Sequence, residues 1–396
     1  LAVGKTPANN RMDTQLFERL VEIRRHLHQN PELSFTEFKT AAFVEAQLKK
    51  LDIPSERLAL TGVIGTLKKG EGPTIILRAD MDALPVQEES GVGWPSQTAG
   101  IMHACGHDIH TTMLLGAAEI ISRTKNFTGT VKFVFQPAEE GPMRSPEPSK
   151  SGAQLIMESG KLKGDAVLGL HVHPLLPVGT LSYRLGEALA NVGNFSIRIT
   201  GKGGHPGFMK QVVDPIAIAA HLITGAHALV GPQPDPPVSV LAITYVSTET
   251  NPSFNVIPNQ VLLQGSLRAN RIADYDEIVK NLKALIKKLE TGHRCAIELD
   301  FSAYYPSLLN DEDLHAKLAP VHEKVFGKNL EPGLAYLVGE DFSFYSRAIP
   351  GQFYFLGAKT DENNDYFLHH PKVTFNEECI KYGASFLAES ALHLLA

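Results

Sequence analysis

Val131-Lys132-Phe133-Val134-Phe135-Gln136-Pro137-Ala138-Glu139-Glu140-Gly141 is a short apolar, β-branched run that breaks into a turn carrying two adjacent carboxylates. Runs of this kind are buried on both faces of a parallel sheet, and α/β enzymes gather their ligands at the carboxyl edge of such sheets. The arrangement recurs along the chain. Residues 74–79 lead into Asp80 and Asp82, and residues 166–170 lead into His171. Two more turns, Met102-His103-Ala104-Cys105-Gly106-His107-Asp108 and Phe367-Leu368-His369-His370-Pro371, add a thiol and further imidazoles. Five groups that a metal ion would take as ligands, Cys105, His107, the Glu139-Glu140 pair, His171 and His369, sit on turns after apolar runs and read together as a metal-dependent hydrolase.

Size and charge bound the alternatives. A chain of 396 residues exceeds one ordinary core and implies about two domains of roughly 100–200 residues each. With 43 acidic against 37 basic side chains, interspersed, the net charge of −6 gives no footprint for nucleic acid or for an anionic membrane surface. No apolar run approaches the roughly 18 residues a spanning helix needs. Three cysteines, at 105, 295 and 379, argue against a disulfide framework and fit reduced thiols, one of them a candidate ligand. The cytoplasm is favoured, while secretion or an organelle stays open because the first residue is Leu1 and the lead is loose.

Helical spacing over 13–29 puts Leu16, Leu20, Ile23 and Leu27 on one face and stops at Asn30-Pro31. A second helix is predicted over 38–51. Further helices at 108–123 and 154–159 alternate with the apolar strands, the βαβ grammar of a layered α/β domain whose mostly parallel sheet is flanked by helices. Near residue 190 the grammar changes. Strand 192–200, helix 212–229, strands 238–248 and 260–269, helix 274–290 and strand 296–302 spell βαββαβ, a ferredoxin-like unit inserted into the host. Helix 311–326, strand 353–356 and helix 377–394 then return to the first domain. The predicted organisation is therefore 1–189 and 306–396 as the catalytic domain, with 190–305 inserted.

The turns differ in what they offer. Asp80 and Asp82, two residues apart at a strand end, point to the same side and can bind or orient. Cys105 and His107 straddle a glycine that lets the backbone approach closely, and both suit a borderline-soft divalent cation. Glu139 and Glu140 point apart, so one carboxylate can ligate while the other addresses a water. His171 and His173 share a face, with His171 preferred because it follows the apolar strand directly. His369 and His370 are alternatives on their loop.

In order, RADMDALP (78–85), MHACGHDIHT (102–111), QPAEEG (136–141), GLHVHP (169–174), GGHP (203–206), NVIP (255–258), GEDF (339–342) and LHHP (368–371) resemble the metal-dependent aminoacylase and carboxypeptidase family. The likeness is to its branch of hippurate hydrolases, N-acyl-amino-acid amidohydrolases and auxin-conjugate hydrolases, and it runs from Arg24 to the last helix. The resemblance implies hydrolysis of an N-acyl amino acid, acetyl, benzoyl or similar, to a carboxylate and a free amino acid; a dipeptidase or carboxypeptidase of the same family is the alternative. It implies two divalent ions per subunit (zinc, manganese, cobalt or nickel), with Cys105 bridging them, His107 and His171 on one, and Glu140 and His369 on the other. Two cations would hold Cys105 as the thiolate and acidify a shared water. Glu139 would be the general base and Asp82 the aspartate that orients a ligand. Asp80 falls where other branches carry a metal-binding histidine and stays unassigned.

By the same resemblance, the inserted domain is a lid and dimerisation domain, making a homodimer or higher homo-oligomer. His205 would stabilise the oxyanion, commonly across a dimer. Asn255 and Arg268 would hold the intermediate and the substrate carboxylate, for which a planar guanidinium fork is suited. Three departures mark this chain. Pro206 to Lys210 replace the usual run after GGH, residues 142–150 form a longer proline-containing loop beside the glutamates, and Gly339 stands where serine is frequent. A closed structural metal site rarely carries an extra carboxylate such as Glu139, which counts against a non-catalytic metal protein. A cysteine hydrolase built on Cys105 conflicts with that thiol being held by metal.

Overall fold

The computed structural model describes residues 12–141, 150–234, 237–248, 253–333, 336–361 and 365–396. Residues 142–149 of the altered loop, and the lead 1–11, lie outside the described residues. The chain divides into two compact units, one of Leu1–Gly186, Leu309–Leu334 and Phe344–Ala396, the other of Glu187–Leu308 with Ala335–Ser343.

The larger unit is built on an eight-stranded sheet. Across it run Ser55–Leu58, Gly62–Lys69, Gly129–Gln136, Thr74–Asp80, Ala166–His173, Gly351–Gly357, Leu181–Tyr183 and Leu330–Pro332. The four central strands, from Gly129–Gln136 to Gly351–Gly357, are mutually parallel, and Ala166–His173 is buried at every position. That burial explains the unbroken apolar runs, since a strand covered on both faces has no solvent side to alternate with. The helices Thr14–Gln29, His107–Arg123, Glu312–Phe326 and Cys379–Leu394 pack together with the sheet around one apolar core. Their starts follow capping chemistry. Asp13, Ser151 and Asp311 each accept a hydrogen bond from a backbone N–H of the first turn.

The smaller unit has a four-stranded antiparallel sheet in the order Ala296–Tyr305, Asn191–Thr200, Gln260–Ala269, Ser239–Thr248, with helices Pro215–Val230 and Ile272–His293 on it. This is the ferredoxin-like order, and its own core gathers Phe195, Ile197, Leu222, Leu263 and Leu282. The first helix starts at Pro215 rather than 212 because Asp214 accepts from the N–H groups of Ile216 and Ala217, and a 3₁₀ turn, Pro206–Gln211, precedes it. No helix among the described residues is long and apolar enough to cross a membrane.

Candidate metal centre

Parallel pairing brings the carboxyl ends of the central strands to one edge: Asp80 pairs with Gln136, and His171 with Phe355. Each turn beyond that edge is held in a specific conformation. Gly106 lies at φ +85 and caps the helix His107–Arg123; a Cβ there would stand 2.4 Å from Val172 Cγ2. Ala138 also takes a positive φ, 49°, and its N–H donates to Glu37 Oε1 at 2.9 Å, which turns the chain into Glu139 and Glu140. His369 sits at φ 68°, fixed by its N–H donating to Ala104 O at 3.0 Å.

Among the described residues the donor atoms converge in five sets of three, of which two share a thiol. Cys105, His107 and His171 offer atoms all within 4.8 Å of one another, and so do Cys105, Glu140 and His369, with the thiol common to both. His107 Nδ1 lies 2.9 Å from Asp82 O and donates to it, and His171 Nδ1 lies 2.8 Å from Val172 O and donates likewise. Each ring therefore turns Nε2 inward. His171 Nε2 is 3.3 Å from Cys105 Sγ, while His107 Nε2 is buried without a hydrogen-bond partner. Glu140 Oε1 lies 3.0 Å from His369 Nε2. A buried, unpartnered imidazole nitrogen aimed at a thiol and carboxylates is costly unless something electrophilic sits among them. Sulfur, imidazole and carboxylate together fit a borderline-soft divalent cation. The second histidine of each pair lies elsewhere: His173 Nδ1 accepts from Leu175 N and its ring packs on Phe355 and Phe367, while His370 stacks on Tyr366.

Charge in the centre is strongly negative. Burial alone would lower the His107 pKa, yet Asp80 and Asp82 beside it push it up to about 10. Burial and then Glu140, Glu139 and Asp80 push the Cys105 thiol well up. The protein alone therefore favours the thiol over the free thiolate. Glu139 stands beside the first set, its Oε2 4.0 Å from His107 Nε2, and groups with His107 and Glu140.

Asp82 is the hub of the turns. Its fully buried carboxylate accepts from Ser34 Oγ (2.8 Å), His107 Nδ1 (3.3 Å), Glu139 N (3.1 Å) and Glu140 N (3.1 Å). Asp80, left without a role by the sequence, holds a second layer. It accepts from Arg78 Nη1 at 2.7 Å and from His110 Nδ1 at 2.6 Å, and His110 Nε2 in turn accepts from Val172 N at 2.9 Å. Arg78 also donates to Gln136 Oε1, which receives the Tyr345 hydroxyl. Sequence reading missed Ser34, Glu37, Arg78 and His110. His110 had a signal, because on a helix beginning at His107 it falls three residues on, over the same face.

In the smaller unit, His205 is exposed and its Nδ1 accepts from Gly207 N at 3.0 Å; Asn255 is exposed and its Oδ1 accepts from Ser253 Oγ at 2.9 Å. A bridge between Gly204 and Ile257 brings their two segments side by side. Arg268 is separate from them in these contacts, donating from Nη1 to Leu337 O at 2.8 Å.

A parallel-sheet edge bearing cysteine, histidine and glutamate donors, with one further carboxylate poised beside them, defines a hydrolase of the metal-dependent class. Residues 76–393 match the family model "Peptidase family M20/M25/M40", and the chain belongs to that family. It is 37% identical over 391 residues to an IAA-amino acid hydrolase ILR1-like 2 of Arabidopsis thaliana, covering 96% of this chain and 86% of that protein. It is 35% identical over 399 residues to an N-acetylcysteine deacetylase of Bacillus subtilis, covering 97% and 98%. Among solved structures it resembles the Bacillus subtilis YXEP protein, described as a dinuclear metal binding peptidase from the M20 family. The TM-score is 0.82, with 33% identity over 97% of this chain and 99% of that one.

Proposed function

We propose that this enzyme cleaves the amide bond of N-acyl amino acids, releasing a carboxylate and a free amino acid, at a dinuclear site. The observation that carries the proposal is the pair of donor sets sharing Cys105, with Glu139 set beside them. The relatives named as an IAA-amino acid hydrolase and an N-acetylcysteine deacetylase support this substrate class. Cys105, His107 and His171 would hold one divalent ion, and Cys105, Glu140 and His369 the other. Such ions supply Lewis-acid activation of a water and of the scissile carbonyl.

The chain's own residues do the rest. Glu139 takes the proton from the attacking water and returns it to the amide nitrogen, which leaves poorly unless protonated. Asp82 fixes the His107 ring and both glutamate backbones, so that base and ligands keep their spacing. His205 and Asn255 are assigned to the oxyanion and the intermediate, and Arg268 to the substrate carboxylate. The strand Ser239–Thr248 ends the smaller sheet with Tyr245 and Val246 exposed, an edge that supports a homodimer through pairing with a second copy. A fully active monomer in sedimentation would contradict that assembly.

A panel of N-acyl amino acids and free dipeptides, run with Mn²⁺, Zn²⁺, Co²⁺ or Ni²⁺ added back after chelation, tests the function. N-acyl substrates should win in kcat/KM, and Glu139→Ala should abolish turnover while metal still binds. Full turnover by that variant, or a preference for free dipeptides, would overturn the assignment.

A further inference from the structure

Behind the helix start that carries His107 lies a buried polar network that the catalytic reading does not use. Asp108, the next residue, is fully buried, with Arg24 Nε 3.0 Å and His28 Nδ1 2.8 Å from its Oδ2. The other His28 nitrogen, Nε2, lies 3.1 Å from Glu88 Oε1. Carboxylates at both nitrogens only accept, so His28 donates from both as an imidazolium. Burial works against that charge, but Asp108 and Glu88 raise the His28 pKa, and Glu88 is itself held down to about 2.

Glu88 belongs to a loop closed at its base by the paired N–H and C=O groups of Leu84 and Met102. It organises that loop by accepting from Ser90 Oγ and from Ser96 N. The loop then reaches both ways. Gln97 N donates to Gln29 O, next to His28, and Glu89 N donates to Pro371 O at 2.8 Å, two residues from His369. Trp94, the single tryptophan of the chain, covers Arg24 at 3.9 Å. One imidazole therefore connects the His107 helix start, through Asp108, to the segment bearing His369, through Glu88 and its loop.

We propose that His28 is a positioning residue that keeps the two donor sets in register, linking His107 through Asp108 with the His369 segment through Glu88. The inference rests on those sets being the metal sites proposed above. It predicts unequal effects for the two arms of the network. Cutting the Glu88 arm frees only the loop and the Pro371 contact, which loosens the Cys105/Glu140/His369 set. Removing His28 leaves Asp108 and Glu88 without their shared cation and loosens both sets.

The test is a Co²⁺ titration of the chelator-treated full chain, following d–d and thiolate charge-transfer absorption, with Trp94 emission as a separate report on the loop. Wild type should take two ions. Glu88→Ala should take the first with wild-type affinity and the second about 10- to 100-fold more weakly. His28→Ala should weaken both and shift Trp94 emission. Should His28→Ala fail to fold, Glu88→Ala still decides, since the buried Glu88 carboxylate lies on the loop side of the network and Asp108 keeps both Arg24 and His28. Folded variants that bind both ions as tightly as wild type would overturn this inference alone, whereas a wild type that binds fewer than two would overturn the dinuclear site and this inference with it.

Discussion

Replacing Asp82 by asparagine probes the turn architecture with the least change in shape. The carboxylate accepts from Ser34, His107, Glu139 and Glu140, all at 2.8 to 3.3 Å, and one of its oxygens becomes an NH₂. Placed at Oδ1, the amide nitrogen faces the His107 ring N–H and the Glu139 N–H. Placed at Oδ2, it faces the Glu140 N–H and a Ser34 hydroxyl that can turn to accept. The second orientation is the better one and still sets donor against donor at Glu140. With the charge gone from two further bonds, and buried unpaired groups costing about 1–3 kcal/mol each, Asp82→Asn should lose about 3 kcal/mol of stability. Function should fall further than that stability loss accounts for, because Glu139 and Glu140 hang from the disturbed backbone; about 10- to 100-fold in metal affinity or kcat is the scale for such partners. Urea unfolding of the metal-free chain gives the first quantity, and Co²⁺ titration with deacylation kinetics gives the second. An unchanged urea midpoint, or lowered stability with wild-type kcat and metal binding, would refute the hub role.

Gly106→Ala should destabilise the larger unit and weaken metal binding, since the new Cβ meets Val172 at 2.4 Å in a left-handed conformation; a wild-type melting temperature with normal Co²⁺ uptake would show that the turn yields. Cys105→Ser should weaken both ions rather than one, because the thiol belongs to both donor sets, and calorimetry losing only one binding event would assign it to a single site. His322 is buried with its Nε2 2.9 Å from the Tyr354 hydroxyl, and burial followed by the charge of His315 lowers its pKa to about 4. Below the unfolded value near 6.5 the unfolded chain binds a proton that the folded chain refuses, so stability should fall as pH drops from about 6.5 toward 4. His322→Gln should flatten that part of the urea-midpoint profile; an identical slope would place the titration elsewhere.

Much of this architecture was legible in the sequence because the physics is local. The runs at 74–79, 131–135 and 166–170 are strands Thr74–Asp80, Gly129–Gln136 and Ala166–His173, short apolar stretches of the kind a strand covered on both faces carries. The hairpin Ser55–Leu58 with Gly62–Lys69 was passed over. Its outer strand, Ser-Glu-Arg-Leu, is partly exposed, and neither period nor apolar run marks it. In the centre, strand-end histidines and the shared thiol could be listed from their turns. Choosing between His369 and His370 on the residues alone could not be done, because what separates them is the positive φ of His369 and its bond to Ala104 O. Asp80 was unreadable for a similar reason. Its partner His110 approaches it only once strand and helix have packed, whereas Arg78, two residues before it on the same strand, shares its face by the strand's period of two.

X-ray absorption on the Zn²⁺-loaded chain, combined with elemental analysis, addresses the shared thiol most directly. Two ions per chain, each with one sulfur at about 2.3 Å and the remaining neighbours nitrogen or oxygen, is the predicted result, with all sulfur scattering lost in Cys105→Ser. Two ions with sulfur on only one of them, or a single ion per chain, would contradict a bridging Cys105.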